Sequence, residues 1–419
     1  MKKQNRIFVV FGAIFIQLAL GSIYAWSVYT TTFVESGWTK TQTQIIFSLC
    51  LTVYAFTMII AGKIMPKIGP RKIALIGGVL IGLGYIFAGI AGATNFLTTL
   101  IFIGILGGMG IGFSYIVPIS VSMRWFPDKK GLITGLAVAG FGFGATVWMS
   151  LADTLGPLGG GQLLSRVGIS NTFIIYGIAY LLMISIGSIW MIFPPKDYCL
   201  ETNPTKPEKD AKPHCLVNMK SKDMLKTPQF YLIFLTFVFS SSAGLMSIGL
   251  MRLWPQEALT SSGLSIKEAG AAATLAMAVF FALFNGLGRI LWGVISDKIG
   301  RKKAMYIMLA TQGLFIILFQ WTAGNQYTLY LFAILIGFNF GGNFTLFPTL
   351  TADLFGTKYV GENYSWVFLA YAIGAILGPV MGGKLGDLGN FPLAFSICGI
   401  LCFVALAAIL QVKQPKLKT

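Results

Sequence analysis

Twelve apolar stretches of about twenty residues or more constrain this chain more than any other feature. They run approximately over 6–33, 42–64, 73–93, 98–122, 132–152, 170–193, 229–251, 269–296, 303–322, 326–350, 364–386 and 390–411. About twenty apolar residues carry an α-helix across the hydrocarbon core of a bilayer. In lipid the backbone must satisfy its own hydrogen bonds, which leaves the helix as the answer for stretches of this length. Charged residues make up 11% of the chain, against about 25% in soluble globular proteins. The expected fold is therefore an all-α integral membrane protein with twelve transmembrane helices. The first stretch is too long for a signal-peptide core and has no clear cleavage site, so it reads as a retained helix.

The net charge of +17 is distributed by side. Loops on the N-terminal side carry Lys2, Lys3 and Arg6, then Lys63, Lys67, Arg71 and Lys72, then Arg124, Lys129 and Lys130. Seven lysines between Lys196 and Lys226 follow, then Lys298, Arg301, Lys302 and Lys303, then Lys358, and finally Lys413, Lys416 and Lys418. The opposite side has Lys40, Arg166, Arg252, Lys267 and Lys384. An excess of Lys and Arg marks cytoplasmic loops, so both termini are expected in the cytoplasm. The basic residues are scattered over seven short segments, which excludes a nucleic-acid face and leaves membrane lipid as the electrostatic partner. Cys199 and Cys215 fall in a cytoplasmic linker where thiols stay reduced. Cys398 and Cys402 lie one turn apart, and two thiols without a third ligand read as packing rather than a metal site. No cofactor is called for. There is no phosphate-binding Gly-Lys-Ser/Thr loop and no nucleophile–His pair, and the single His214 is in the linker. An enzyme and an ATP-driven pump are both excluded on that ground.

Residues 194–228 interrupt the apolar pattern with a Pro-, Lys- and Asp-rich linker, in which a short surface helix is expected near 221–225. The linker divides the chain into 1–193 and 229–411, each with six apolar stretches, followed by a tail over 412–419. A motif repeats across the divide. Gly62-Lys-Ile-Met-Pro-Lys-Ile-Gly-Pro-Arg-Lys72 stands between the second and third stretches, and Gly293-Val-Ile-Ser-Asp-Lys-Ile-Gly-Arg-Lys-Lys303 between the eighth and ninth. The recurrence reads as a duplication, with two pseudo-symmetric six-helix bundles. Gly62, Arg71, Gly293, Asp297, Gly300 and Arg301 are the candidate residues of these conformational loops. Glycine permits close approach, and Asp297 near a helix end can accept backbone N–H bonds or pair with a neighbouring Arg.

This doubled loop resembles the signature of the major facilitator superfamily, although Pro66 stands in the first copy where an acid is expected. A closer resemblance rests on Leu20-Gly-Ser-Ile-Tyr-Ala-Trp-Ser27, on Arg124-Trp-Phe-Pro-Asp-Lys-Lys-Gly131 with Gly135 and Ala139-Gly-Phe-Gly-Phe-Gly144, and on Asn339-Phe-Gly-Gly-Asn-Phe-Thr-Leu-Phe-Pro348. Together these are similar to the oxalate/formate antiporter family, bacterial relatives of the monocarboxylate transporters. The resemblance implies the major facilitator fold, a bacterial inner-membrane location and a monomeric secondary transporter of carboxylates.

Arg289 is the one charged residue within 271–295. A guanidinium at membrane depth costs several kcal/mol, so an intramembrane arginine is by default a functional residue. Asp297 marks the end of its helix, and eight residues place Arg289 about 12 Å deeper. Asn285 is one turn away on the same face. A fork of N–H donors backed by an amide suits a carboxylate, which arginine binds in bidentate fashion. The family resemblance implies the same role, within Phe284-Asn-Gly-Leu-Gly-Arg289. The alternative is an arginine that snorkels to the cytoplasmic interface. In helix eleven the family's oxalate carrier has a lysine, and the alignment over Glu362-Asn-Tyr-Ser-Trp-Val-Phe-Leu-Ala-Tyr371 puts Tyr371 there. One cation and one hydroxyl favour a monocarboxylate such as lactate, pyruvate or formate over oxalate.

Tyr24, Tyr29, Tyr115, Phe340 and Phe344 are further candidates to wall a small cavity, with ordinary packing an equal reading for any one of them. Trp26 and Trp366 read as packing. Gly104, Gly108 and Gly112, Gly140 and Gly144, and Gly374, Gly378 and Gly382 form small-residue ridges that let helices approach and slide.

No acidic residue lies deep in any stretch, and Arg289 has no evident counter-carboxylate. An empty site that crosses with an unpaired charge is disfavoured, so alternating access with exchange is the expected mode. Proton symport, with the proton carried alongside the substrate, is the main alternative. Oxalate/formate exchange and a non-transporting carboxylate sensor follow it.

Overall fold

The computed structural model describes residues 6–152, 163–195, 218–251 and 253–415. Cys199, Cys215, His214 and most of the expected linker lie outside the described residues. Twelve described helices are long and apolar enough to cross a membrane: α1 (Arg6–Ala25), α2 (Ile45–Ile68), α3 (Pro70–Ile90), α4 (Phe96–Trp125), α5 (Lys130–Ala152), α6 (Leu163–Ser188), α7 (Pro228–Leu250), α8 (Ile266–Ile299), α9 (Arg301–Thr322), α10 (Gln326–Phe355), α11 (Val360–Gly386) and α12 (Phe391–Leu410). The protein is a multi-pass membrane protein built as two six-helix bundles. We call the side that carries the N-terminus the basic face.

The pairings repeat. α1 packs on α5 as α7 packs on α11; α2 packs on α4 as α8 on α10; α3 packs on α6 as α9 on α12. The two bundles then meet along two related seams, α2 against α11 and α5 against α8. Turns enforce the repeat at equivalent points: Gly69 and Gly300 each end a helix at φ +88° and +91°, where a side chain would be strained. The helix after each starts at once, as Pro70 or Arg301. The expected surface helix is present as Ser221–Met224.

The helices overrun the apolar stretches. α2 extends through Pro66 to Ile68, and α10 through Pro348 to Phe355. Neighbouring helices can satisfy the backbone groups that an interior proline frees, so these prolines do not end the helix. α1 is not uniform: it winds as 3₁₀ over Gly21–Ala25 and continues as an α-helix over Trp26–Glu35. α4 and α8 each contain a π-wound segment, Leu100–Gly107 and Ala276–Phe281. The one in α8 lies a turn before Asn285.

The small-residue ridges lie inside the bundles. Gly108 and Gly112 meet the carbonyls of Cys50 and Tyr54, Gly140 and Gly144 those of Ile14 and Leu18, and Gly378 that of Ser242. These are contacts between helices of one bundle. The seams between bundles use other glycines. Gly62 abuts Gly361, and its counterpart Gly293 abuts Gly131.

Candidate functional site

Arg289 has no exposed surface and projects from α8 into the α5 seam. It does not snorkel. Its Nε donates to Asn285 Oδ1 at 3.1 Å, the bond that an i, i+4 pair on one helix face can make. Its Nη1 donates across the seam to the carbonyl of Val138 in α5 at 3.0 Å. Nη2 has no partner among the described residues. The guanidinium carbon stands 4.1 Å from the ring centre of Phe344 and 5.5 Å from that of Phe141, close enough for cation–π attraction. All these neighbours are neutral. The buried polar and charged residues include no Asp, Glu, His or Lys among those described.

Close backbone approach explains how the arginine is held so near both bundles. A methyl group at Gly135 would fall on the Arg289 carbonyl oxygen, and one at Gly142 would lie 2.8 Å from Gly286 Cα. On the other flank Thr345 of α10 donates to the Arg289 carbonyl at 2.7 Å.

The candidate aromatics separate into two groups. Tyr24, Tyr115, Phe344 and Tyr371 join the arginine's surroundings. Tyr24 and Tyr115 pack edge-on against Phe141 at 5.2 and 5.4 Å. Phe344 meets Tyr371 at 5.6 Å, and Phe368 links Tyr371 to Tyr115 at 5.0 and 5.5 Å. The Tyr24 and Tyr371 hydroxyls, one from each bundle, are hydrogen-bonded at 2.8 Å. The Tyr115 hydroxyl is buried without a partner among the described residues. Phe340 supports Phe344 edge-on at 5.4 Å and fills the notch at Gly244. Tyr29 departs from the expectation. It packs on Phe173 of α6 and on Trp26, inside the N-terminal bundle, and is wall to nothing near Arg289. Trp26 packs as expected, with its indole N–H on the Thr43 carbonyl. Phe141 and Phe368 complete the ring; the sequence marks the first only through its Gly-Phe-Gly-Phe-Gly run and gives no sign of the second.

The repeated loops close the basic face, and they do so unequally. Asp297 accepts the backbone N–H groups of Gly131 and Leu132, at 3.0 and 2.8 Å, so an acid of one bundle caps the first turn of α5 in the other. Arg301 pairs with Asp297 at 2.5 Å and with Asp353 at 3.2 Å, and Lys130 reaches Asp353 at 2.5 Å. At the first copy Pro66 offers no acid. Arg71 donates to the carbonyl of Ile189, within its own bundle. The bond that crosses on this flank runs instead from Arg124 to the Lys358 carbonyl.

Comparison with known proteins agrees with this architecture. The chain is 29% identical to the uncharacterised MFS-type transporter YhjX of Escherichia coli, covering 89% of this chain and 87% of that one. It is 27% identical to the oxalate:formate antiporter of Oxalobacter formigenes, covering 96% and 90%. The Escherichia coli fucose:proton symporter has the same fold, with a TM-score of 0.65 at 15% identity over 96% of this chain and 97% of that one. The family model of the Major Facilitator Superfamily matches residues 7–266 and 242–419. With repeat, seams and doubled loop in place, the chain belongs to the major facilitator superfamily and is like its oxalate/formate antiporter branch.

Proposed function

We propose that this protein is a secondary transporter of small monocarboxylates, of the lactate, pyruvate or formate class, working by alternating access with exchange favoured. One observation carries the reading. Arg289 is a fully buried cation between the two bundles, its partners are all neutral, and its Nη2 edge is unspent. A carboxylate supplies the charge and the acceptor that this edge lacks. The hydroxyls of Tyr24, Tyr115 and Tyr371 then offer a second polar contact, and the phenylalanine rings admit a small apolar tail. The similarity to an oxalate:formate antiporter supports an anion of this size. The basic face is assigned to the cytoplasm of a bacterial inner membrane, which places both termini inside.

A second reading, oxalate/formate exchange, is favoured by the same relative. Against it, Tyr371 brings a hydroxyl where a dianion gains from a second cation. The test is uptake of labelled lactate, pyruvate, formate and oxalate into proteoliposomes. Monocarboxylate uptake that Arg289→Gln reduces by at least about tenfold is expected, from losing a hydrogen bond to a charged group. Oxalate as the preferred substrate would select the second reading, and wild-type uptake by Arg289→Gln would end both. Binding without flux would instead indicate a sensor.

A further inference from the structure

Between Arg289 and the cytoplasmic face, four buried side-chain oxygens have no hydrogen-bond partner among the described residues: Ser120 Oγ, Ser122 Oγ, Thr134 Oγ1 and Tyr364 Oη. None of these residues has exposed surface. Several buried hydroxyls instead return their bond to their own helix, as Ser241, Ser242, Ser247, Thr349 and Ser365 do. These four have given up hydration with nothing in return, which marks groups that meet water or a ligand in another state.

Two of the four face the join between the bundles. A Cβ at Gly361 in α11 would lie 3.2 Å from Ser120 Oγ in α4. Tyr364, one turn beyond Gly361, packs under Phe368, whose ring contacts Tyr54 and Tyr115 of the opposite bundle. Tyr364 precedes Tyr371 by seven residues, about 10 Å nearer the cytoplasm along the helix.

We propose that Tyr364 and Ser120 form a second, transient station for the carboxylate on its route between Arg289 and the cytoplasm. This rests on the carboxylate reading above. The charge at the two flanks argues for this route over the α5–α8 side. There the acids at the mouth are already matched by cations, Asp297 by Arg301 and Asp353 by Arg301 and Lys130. Here the mouth is held by Arg124 and the Lys358 segment, which attracts an anion, and the wall offers hydroxyl donors.

The experiment measures exchange of labelled pyruvate and labelled formate in right-side-out and inverted vesicles. For Tyr364→Phe and Ser120→Ala, the half-saturating concentration at the cytoplasmic face should rise about tenfold, while that at the outer face stays within about twofold. An equal change at both faces, or none at the cytoplasmic face, overturns the proposal. Ser120→Cys in a chain otherwise free of cysteine supplies a second measurement. A membrane-impermeant thiol reagent should modify it from the cytoplasmic side, more slowly with saturating pyruvate. No modification while the carrier exchanges normally overturns the station. Normal uptake by Arg289→Gln would overturn the carboxylate reading itself, so the two failures are distinguishable.

Discussion

At Arg289 a charge that costs several kcal/mol at membrane depth is shared among an amide oxygen, a backbone carbonyl and two aromatic faces. The geometry is that of a fork, with Nε and Nη1 occupied and Nη2 left for a ligand. Lysine keeps the charge but has no fixed fork and cannot serve Asn285 and Val138 together. Arg289→Lys should therefore lose transport about as severely as Arg289→Gln, tenfold or more, when initial rates are measured over a range of substrate concentrations. Recovery to near wild-type rates would show that charge alone suffices. Asn285→Ala leaves a buried N–H without its acceptor, at a cost of about 1–3 kcal/mol, and should lower both the substrate affinity and the unfolding temperature in detergent. The Arg289–Asn285 pair was legible because i, i+4 spacing is written in the sequence. Val138 was not, since its contribution is a carbonyl that any residue has. Tyr24 and Tyr29 could not be told apart because α1 changes to 3₁₀ over Gly21–Ala25, and three residues per turn instead of 3.6 resets which face each side chain takes.

Among the elements, the two seams are built alike and fastened differently. Each has a glycine pair, Gly62 with Gly361 and Gly131 with Gly293, but only the second adds a carboxylate across the join. Asp297 holds two backbone N–H groups of α5 and pairs with Arg301. Asp297→Asn keeps the shape and removes the charge, which weakens a helix-terminus contact and an ion pair together, by about 1 kcal/mol in all. The balance should move roughly fivefold toward a form open on the basic face, read as faster thiol modification of Thr134→Cys. Pro66→Asp, which restores the missing acid beside α11, should move it the opposite way and slow turnover. If both substitutions left the labelling rates unchanged, the loops would not be latches. The repeat and the departure at Pro66 were visible in the sequence, because a motif survives duplication as letters. That Arg71 turns toward Ile189 within its own bundle was not visible, since it depends on where the end of α6 lies.

For the whole molecule, the question is whether it crosses the membrane empty. With the basic face closed, the Arg289–Val138 bond runs between α8 and α5, so it spans the same seam that must part when that face opens. Opening it without substrate removes one of the few acceptors the guanidinium has. The remaining partners are on its own side or are aromatic faces, and the described spans offer no buried acid to take over. On the proposed function a bound carboxylate changes this balance, because it would travel with Arg289 and neutralise it in both states. The loaded carrier should therefore reorient over a lower barrier than the empty one, and each 1.4 kcal/mol of difference is about a tenfold difference in rate. Proteoliposomes filled with unlabelled pyruvate should take up labelled pyruvate about tenfold faster or more than empty ones, at equal pH and without a membrane potential. Efflux from loaded vesicles should likewise accelerate when pyruvate is present outside. Equal rates with and without substrate on the far side would sink this coupling. An acceleration by an inward proton gradient alone would point to symport, with the proton bound together with the substrate, since the described residues give the buried site no acid to carry it.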